Sequence, residues 1–592
     1  MRIYNVCRKK RFRPVVMKMD MVMKMKLAAL LSLPLLLFSC DKHGYVPEDN
    51  GPHYTVEDLE FDSALQAYMD TSYGSEITDV TVTENTVRVS GTYKGPGTDF
   101  SVVEIPPFMD LLRLESPLTE ISPETETFTF EIERYALIPE SAKASQDGEV
   151  YDRLLSKWAI VSKGEGGYEP LSAARYADVI PVLRHPEPVP LRNKKGIGGI
   201  VPNNFISDFD DLDLGSATLN MFVTQFTYLS EGPRRIAHEY GGRTYWFDEA
   251  FVKENLDNML LEAGKRNMAV AAILLVQPAS SSVDKELGEL LMPDECTSGT
   301  LTMPDMTKPE SVQCFAAITD FLAERYCREN QEYGRVSKWI VMNEVDIADT
   351  WANIGTRPET VHVDYYVKVL RLVHNIVSQY DSNTEVMVST SHSWTLSSGT
   401  FLGKNIIGKI NRMTVKEGDF FWGLAFHSYP GNLLDPKVWS CPYSTFSMDT
   451  QSITFRNLEV LNKWIYQPEN MYKGTVKRSV WLSEAGLNSP SYSDEDLILQ
   501  AAGTAYSWKK VAALDGIDSW QWHNWFDNVG DGSGALLGLR KYGDTASGEA
   551  KPAWYVFKAA GTSSEDEVFY KYLPVIGIGS WEGIVVPPDE IR

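Results

Sequence analysis

Two glutamates carry the clearest chemistry in this sequence. Glu344 follows the apolar run 338–342 as the second residue of an Asn343-Glu344 pair, and Glu484 closes a matching run, 479–483. Paired carboxyls at the ends of apolar strands suit reactions in which one group holds a proton while the other stays ionised. Strict strand alternation puts Ile340, Met342 and Glu344 on one face, and Val480, Leu482 and Glu484 on one face of the second run. Each glutamate is therefore expected to continue an inward apolar stripe.

The periodicity of the chain outlines the scaffold that would hold them. A chain of 592 residues exceeds one ordinary core, so two or more domains are expected. Between 76 and 190 the period is two, in short alternating runs such as 80–83, 86–90, 100–105, 127–132 and 157–162, separated by turn residues. This predicts a β-sandwich over 55–190, followed by a stiff proline-rich linker at 184–192. Over 191–562 strand and helix alternate. Eight strands are expected, at 196–201, 216–223, 270–277, 338–344, 385–391, 421–429, 476–484 and 516–523. Amphipathic stretches between and after them, including 248–266, 310–329, 363–380, 455–464, 494–514 and 551–560, have helical spacing. The fold class is therefore α/β, a (β/α)8 TIM barrel preceded by an all-β sandwich. In such a barrel every strand ends at one mouth, with Glu344 on the fourth strand and Glu484 on the seventh. The rival is a doubly wound open sheet, but Gly196-Ile-Gly198-Gly199 lacks the dinucleotide-binding spacing. The tail, 563–592, contains a strand-like run at 575–579 and is expected to pack back on the sandwich.

The amino terminus reads as an export segment. Lys18, Lys24 and Lys26 precede an apolar run, 27–38, that is short for a membrane span, and Leu37-Phe-Ser-Cys40 has the form of a bacterial lipobox. Residues 1–39 are then a lipoprotein signal peptide, Cys40 the lipidated first residue and 40–54 a tether. The expected location is exported, anchored by lipid to the bacterial (outer) membrane and facing the periplasm or the cell surface. Met17 or a later methionine is a candidate start. Losing 1–39 removes nine basic residues and one acidic one, leaving 47 against 79, a balance of −32. That surface repels nucleic acid and argues against polyphosphate partners. Cys296, Cys314, Cys327 and Cys441 match no zinc spacing, and export permits disulfides of undetermined pairing. No His-Glu-x-x-His and no nucleophile-elbow serine is present, so metal hydrolysis is disfavoured and no cofactor is expected.

Asn343-Glu344 ending strand four and Glu484 ending strand seven resemble the signature of clan A of the retaining glycoside hydrolases. Leu424-Ala-Phe-His427-Ser-Tyr429 resembles the clan's His-x-Tyr strand, and Ser519-Trp-Gln-Trp522 its strand eight. The whole chain also resembles a group of bacterial surface lipoproteins. The clan resemblance covers the barrel and implies cleavage of an O-glycosidic bond in an extracellular glycan by double displacement. It implies Glu344 as acid/base, Glu484 as nucleophile, Asn343 as the partner of a sugar 2-hydroxyl and Tyr429 as the group that holds the nucleophile. It further implies His427 beside the acid/base and Trp522 as the stacking floor under the cleaved sugar.

Two departures limit what the resemblance implies. Many clan members carry an Arg on strand two and a His or Asn on strand three, where this chain offers Asn220 and Gln277. These neutral amides bind hydroxyls without supplying charge. His392 after strand five is a candidate replacement donor, and equally a structural histidine. Asp346 and Asp349 follow the acid/base and are candidates to bind substrate, with solvated loop acids as the favoured reading. His523, Trp525, Asp527 and Asp531 crowd the loop after strand eight as candidates to line the cleft, while Trp351, Trp394 and Trp439 are either sugar platforms or loop packing. The alternative function is a glycan-binding surface lipoprotein that has kept the barrel without catalysis. Both glutamates and Tyr429 favour activity.

Overall fold

The computed structural model describes residues 52–592, apart from 97–98, 138–148, 165, 397–398, 529–533 and 543–547. Cys40, the export segment and Asp531 lie outside the described residues. Among those described, no helix is long and apolar enough to cross a membrane. The chain enters through a helix, Val56–Asp70, that the strand periodicity further along gave no reason to expect. Thr55 caps it, accepting from the Asp58 N–H at 3.0 Å, and Asp58 reaches back in a capping box. Its buried side chains Phe61, Leu65 and Tyr68 face the rest of the protein.

Two antiparallel sheets come next and pack face to face. One is built of Glu76–Val82, Thr86–Thr92 and Thr127–Glu133, the other of Glu120–Ile121, Ser101–Ile105, Lys157–Gly164 and Gly167–Pro170. Alternation explains the core: Val80, Val82, Val87 and Val89 from the first sheet meet Val102, Trp158 and Ile160 from the second. Buried polar bonds join this sandwich to the barrel helices. Lys157 pairs with Glu417 at 2.7 Å, and the Arg134 guanidinium donates to Gln379 at 2.7 Å while holding Asp152.

The barrel is closed and parallel. Its strands are β1 (Lys195–Ile197), β2 (Ser216–Phe222), β3 (Ala269–Leu275), β4 (Lys338–Val341), β5 (Glu385–Thr390), β6 (Trp422–Phe426), β7 (Val480–Ala485) and β8 (Ser519–Trp522), in sequence order around the ring, with β1 pairing β8. Ala271, Ile273, Ile340, Met387, Ala425 and Trp481 fill the apolar side of the lumen. The β1–β2–β8 side is polar: Ser216 and Ser519 share a hydrogen bond of 2.7 Å, and Gln521 donates to both hydroxyls at 2.8 Å. A cavity of about 270 Å³ opens at the N-terminal end of the strands, between Pro188, Val189 and Leu191 of the linker and Ala269, Lys338 and Ser479. The two glutamates are at the opposite end.

Three features depart from expectation. A small antiparallel sheet, Thr227–Tyr228, Arg235–Tyr240 and Arg243–Asp248, is inserted after β2. The run at 575–579 is not a strand: Leu573–Ile576 is a helical turn with Pro574 in its first turn and Gly577 in left-handed backbone (φ 84°) as its cap. The tail packs on the barrel rather than the sandwich, with Met448 donating to Arg592, Lys463 to Pro588 and Ile591, and Val586 to Glu459. All four cysteines among the described residues are free.

Candidate active site

β4 ends at Val341, before the glutamate it was expected to carry. Met342 and Glu344 then adopt left-handed backbone, at φ 60° and 32°. Ile340 lies in the lumen, but Met342 turns into the core between barrel and helices. The expected common face of Ile340, Met342 and Glu344 is therefore wrong, because two positive-φ residues break the alternation. β7 departs too. Trp481 occupies the lumen, whereas Val480 and Leu482 face outward. Pairing with β8 then slips: Leu482 opposes Trp520 and Ala485 opposes Trp522, so three steps on β7 match two on β8. This bulge reverses the parity and returns Glu484 to the inner face.

The two carboxylates converge on one imidazole nitrogen. His427, directly after β6, places Nδ1 2.8 Å from Glu344 Oε1 and 3.6 Å from Glu484 Oε2. Those two oxygens are thus at most about 6.4 Å apart, the sum of the two contacts. On its far side His427 Nε2 lies 3.3 Å from Ser389 Oγ, which also accepts the Glu344 N–H at 3.0 Å. Burial alone would lower the His427 pKa, but the charges of Glu484 and Glu344 and the hydrogen bond to Glu344 raise it above the ordinary value. His392 sits within electrostatic reach of Glu344 and His427, and burial lowers its pKa.

The other expected residues divide. Tyr429 stands edge-on to His427, with ring centroids 6.5 Å apart, and Asn343 is buried in the left-handed turn. Asn220 lies half-buried on the inner face of β2, two residues before Phe222 in the lumen. Gln277, beyond β3, is buried and accepts a hydrogen bond from Gln225, whose amide also donates to the Ser281 carbonyl at 2.6 Å. Trp522 is a correction. Its ring is fully buried outside the lumen against Phe557, and its indole N–H donates to the Leu537 carbonyl at 2.9 Å, so it offers no face to a sugar. Gln521 holds the inward position on β8, and the next inward residue is His523, whose ring lies over Gly198 and Gly199. A Cβ on Gly198 would stand 3.0 Å from His523 Nδ1.

Asp346 corrects the expectation of a solvated acid. It is fully buried, with one oxygen accepting the Ser391 N–H at 2.9 Å and the other the Ser391 hydroxyl at 2.5 Å. Burial and the nearby Glu344 charge push its carboxyl up to about 7 against those hydrogen bonds. Asp349 is exposed. Trp394 and Trp525 are buried, donating to Met448 and Asp208, and Asp527 is buried in an ion pair with Lys551 at 2.6 Å. Trp439 packs against Tyr506, whereas Trp351 caps the lumen cluster. Among the described residues no three His, Cys, Asp or Glu side chains gather as metal ligands. Ser389, Ser391, Gln225 and the outward parity of Trp522 escaped the sequence reading. The small hydroxyls ending the run Val386–Ser391 were the available signal for the first two.

A family described as a family of unknown function (DUF5722) matches residues 188–584. The chain belongs to this family. The matched segment includes all eight barrel strands and both glutamates. No curated protein matches the chain in sequence. Among solved structures it is similar to a family 39 glycoside hydrolase from the gut symbiont Bacteroides cellulosilyticus WH2, with 12% identity, a TM-score of 0.40 and coverage of 84% of this chain and 81% of that one. It is also similar to the endo-1,4-beta-xylanase XylE of Penicillium canescens, at 15% identity and TM-score 0.38 over 63% of this chain and 96% of that chain. An FMN-binding beta-glucuronidase from Facaelibacterium prausnitzii L2-6 aligns at 10% identity and TM-score 0.34, over 82% and 61%. At these scores the likenesses assign no residue a role.

Proposed function

We propose that the protein is a retaining glycoside hydrolase that cleaves an O-glycosidic bond in an extracellular poly- or oligosaccharide. The observation that carries this reading is the convergence of Glu344 and Glu484 on His427 Nδ1 at the C-terminal mouth of the barrel. The bound of about 6.4 Å on that oxygen pair accommodates the ~5–5.5 Å separation of retaining carboxyls. In the first step Glu484 bonds to the anomeric carbon as the glycosidic C–O bond breaks, and Glu344 delivers its proton to the departing oxygen. In the second, water adds to the anomeric carbon, Glu344 takes the water's proton, and the Glu484–sugar ester opens. Asn343, Asn220 and Gln277 are proposed hydroxyl partners, and His392 and Tyr429 line the same mouth. His523 takes the place at the end of β8 that Trp522 vacates.

Export and a lipid anchor at Cys40 complete the proposal, placing the barrel at the bacterial surface, where a net acidic protein meets neutral glycan. The test is a screen of the purified protein on aryl glycosides and on plant and host glycans, with Glu484→Gln as control. Turnover that vanishes in the variant, with the product's anomeric configuration retained, supports the reading. Turnover unchanged by Glu484→Gln overturns the nucleophile assignment, and glycan binding without turnover points to the non-catalytic alternative.

A further inference from the structure

We propose that Ser389 is a positioning residue whose hydroxyl lets His427 keep a partner in both of its charge states, holding the ring with its Nδ1–H on the carboxylate pair. The catalytic consequence rests on the glycosidase reading; the hold on the ring does not.

The β4–β5 ladder stops at Val341 opposite Val388. Beyond it the left-handed turn takes Glu344 out of regular pairing, and β5 recaptures it by other bonds. Ser389 Oγ accepts the Glu344 N–H at 3.0 Å, and the Ser389 carbonyl accepts the Val345 N–H at 3.0 Å. Ser389 thus grips the peptide on both sides of the Glu344 carbonyl. Its hydroxyl also faces His427 Nε2 at 3.3 Å. His427 is anchored in turn through its own N–H to the Thr390 carbonyl at 2.9 Å.

The ring's two nitrogens then face different demands. Nδ1 looks at carboxylate oxygens, which when ionised only accept, so it carries a hydrogen. Nε2 is bare in the neutral ring and protonated in the imidazolium. A hydroxyl donates to the first and accepts from the second, whereas an amide nitrogen or a carbonyl could serve one state only. Taking the Glu344 N–H uses one lone pair of Ser389 Oγ and leaves its O–H and second lone pair for the ring. Both residues are buried, so loss of the hydroxyl strands a buried nitrogen. The titratable groups facing His427 are Glu344, Glu484 and Asp346, with His392 nearby and Tyr429 edge-on. The three carboxyls favour the imidazolium.

The test uses the full chain labelled with 15N-histidine. Ring-nitrogen resonances are followed across pH in the native protein, in Ser389→Ala and in Ser389→Cys, with His427→Gln assigning the signal. In the native protein Nδ1 stays protonated while Nε2 passes between bare and protonated. In both serine variants the midpoint falls by about one pH unit or more, because the imidazolium loses its buried acceptor. The limb of the kcat/KM profile set by His427 moves the same way. A midpoint and tautomer unmoved in a folded Ser389→Ala overturns the assignment even if glycoside turnover is normal. Should the alanine variant fail to fold, Ser389→Cys, which keeps the volume and weakens the hydrogen bond, decides by the same criterion. A native protein that turns over no glycoside overturns the kcat/KM consequence together with the glycosidase reading, while the spectra still report on Ser389's hold.

Discussion

Glu344 reaches the mouth from a strand that has already stopped, while Glu484 reaches it from a strand that continues with an extra residue in it. At β4 the device is a left-handed turn through Met342 and Glu344, recaptured by Ser389 of the next strand and by Ser391 just beyond that strand's end. At β7 it is a bulge between Leu482 and Ala485, and pairing with β8 resumes beyond it. The two carboxylates therefore have unequal backbone support. One hangs from side-chain hydrogen bonds that can report on protonation; the other is set by register and changes only if the ladder does.

The largest effect should come from removing the register-held group. Glu484→Gln is expected to abolish turnover of aryl glycosides, and Glu344→Gln to slow it by about 10²–10⁴-fold, with the smaller loss on substrates whose leaving group needs no proton. On the β4 side, Met342→Val puts a branched side chain at φ 60° and is expected to cost ~1–3 kcal/mol in denaturant unfolding. It should also lower kcat, because Glu344 hangs from that turn.

A smaller effect separates structure from binding at β8. Trp522→Phe removes the donor to the buried Leu537 carbonyl and is expected to destabilise by ~1–3 kcal/mol while leaving KM unchanged. A raised KM with unaltered stability would restore Trp522 to the sugar site. A pH-dependent effect concerns Asp346. Its folded pKa of about 7 lies above the ~3.9 of an unfolded aspartate, so the folded protein binds the extra proton between those values. Its contribution is therefore lost as pH rises from about 4 through 7. Asp346→Asn should flatten that part of the stability–pH curve, read from urea midpoints at a series of pH values.

Much of this was legible in the chain. The eight strand positions, the sandwich ahead of them and the pairing of Glu344 with Glu484 follow from apolar runs of period two and helices of period 3.6, which short-range sterics and burial impose. His427 was legible through its place beside Tyr429 at a strand end. The faces were not. Alternation put Met342, Val480 and Leu482 inward and Trp522 at the mouth, and all four point outward.

Composition and period along the chain were enough to specify the eight barrel strands, their order around the ring and the runs beyond which the carboxylates lie. The direction in which each end residue points was settled in three dimensions. It turns on one left-handed turn and one inserted residue, and both are held by their neighbours: Ser389 of β5 grips the turn, Ser391 just past β5 holds Asp346 behind it, and the resumed pairing with β8 holds the bulge. A period of two cannot record such a break, since one extra residue or one positive φ reverses the face of every later residue in the strand at no cost to the pattern before it.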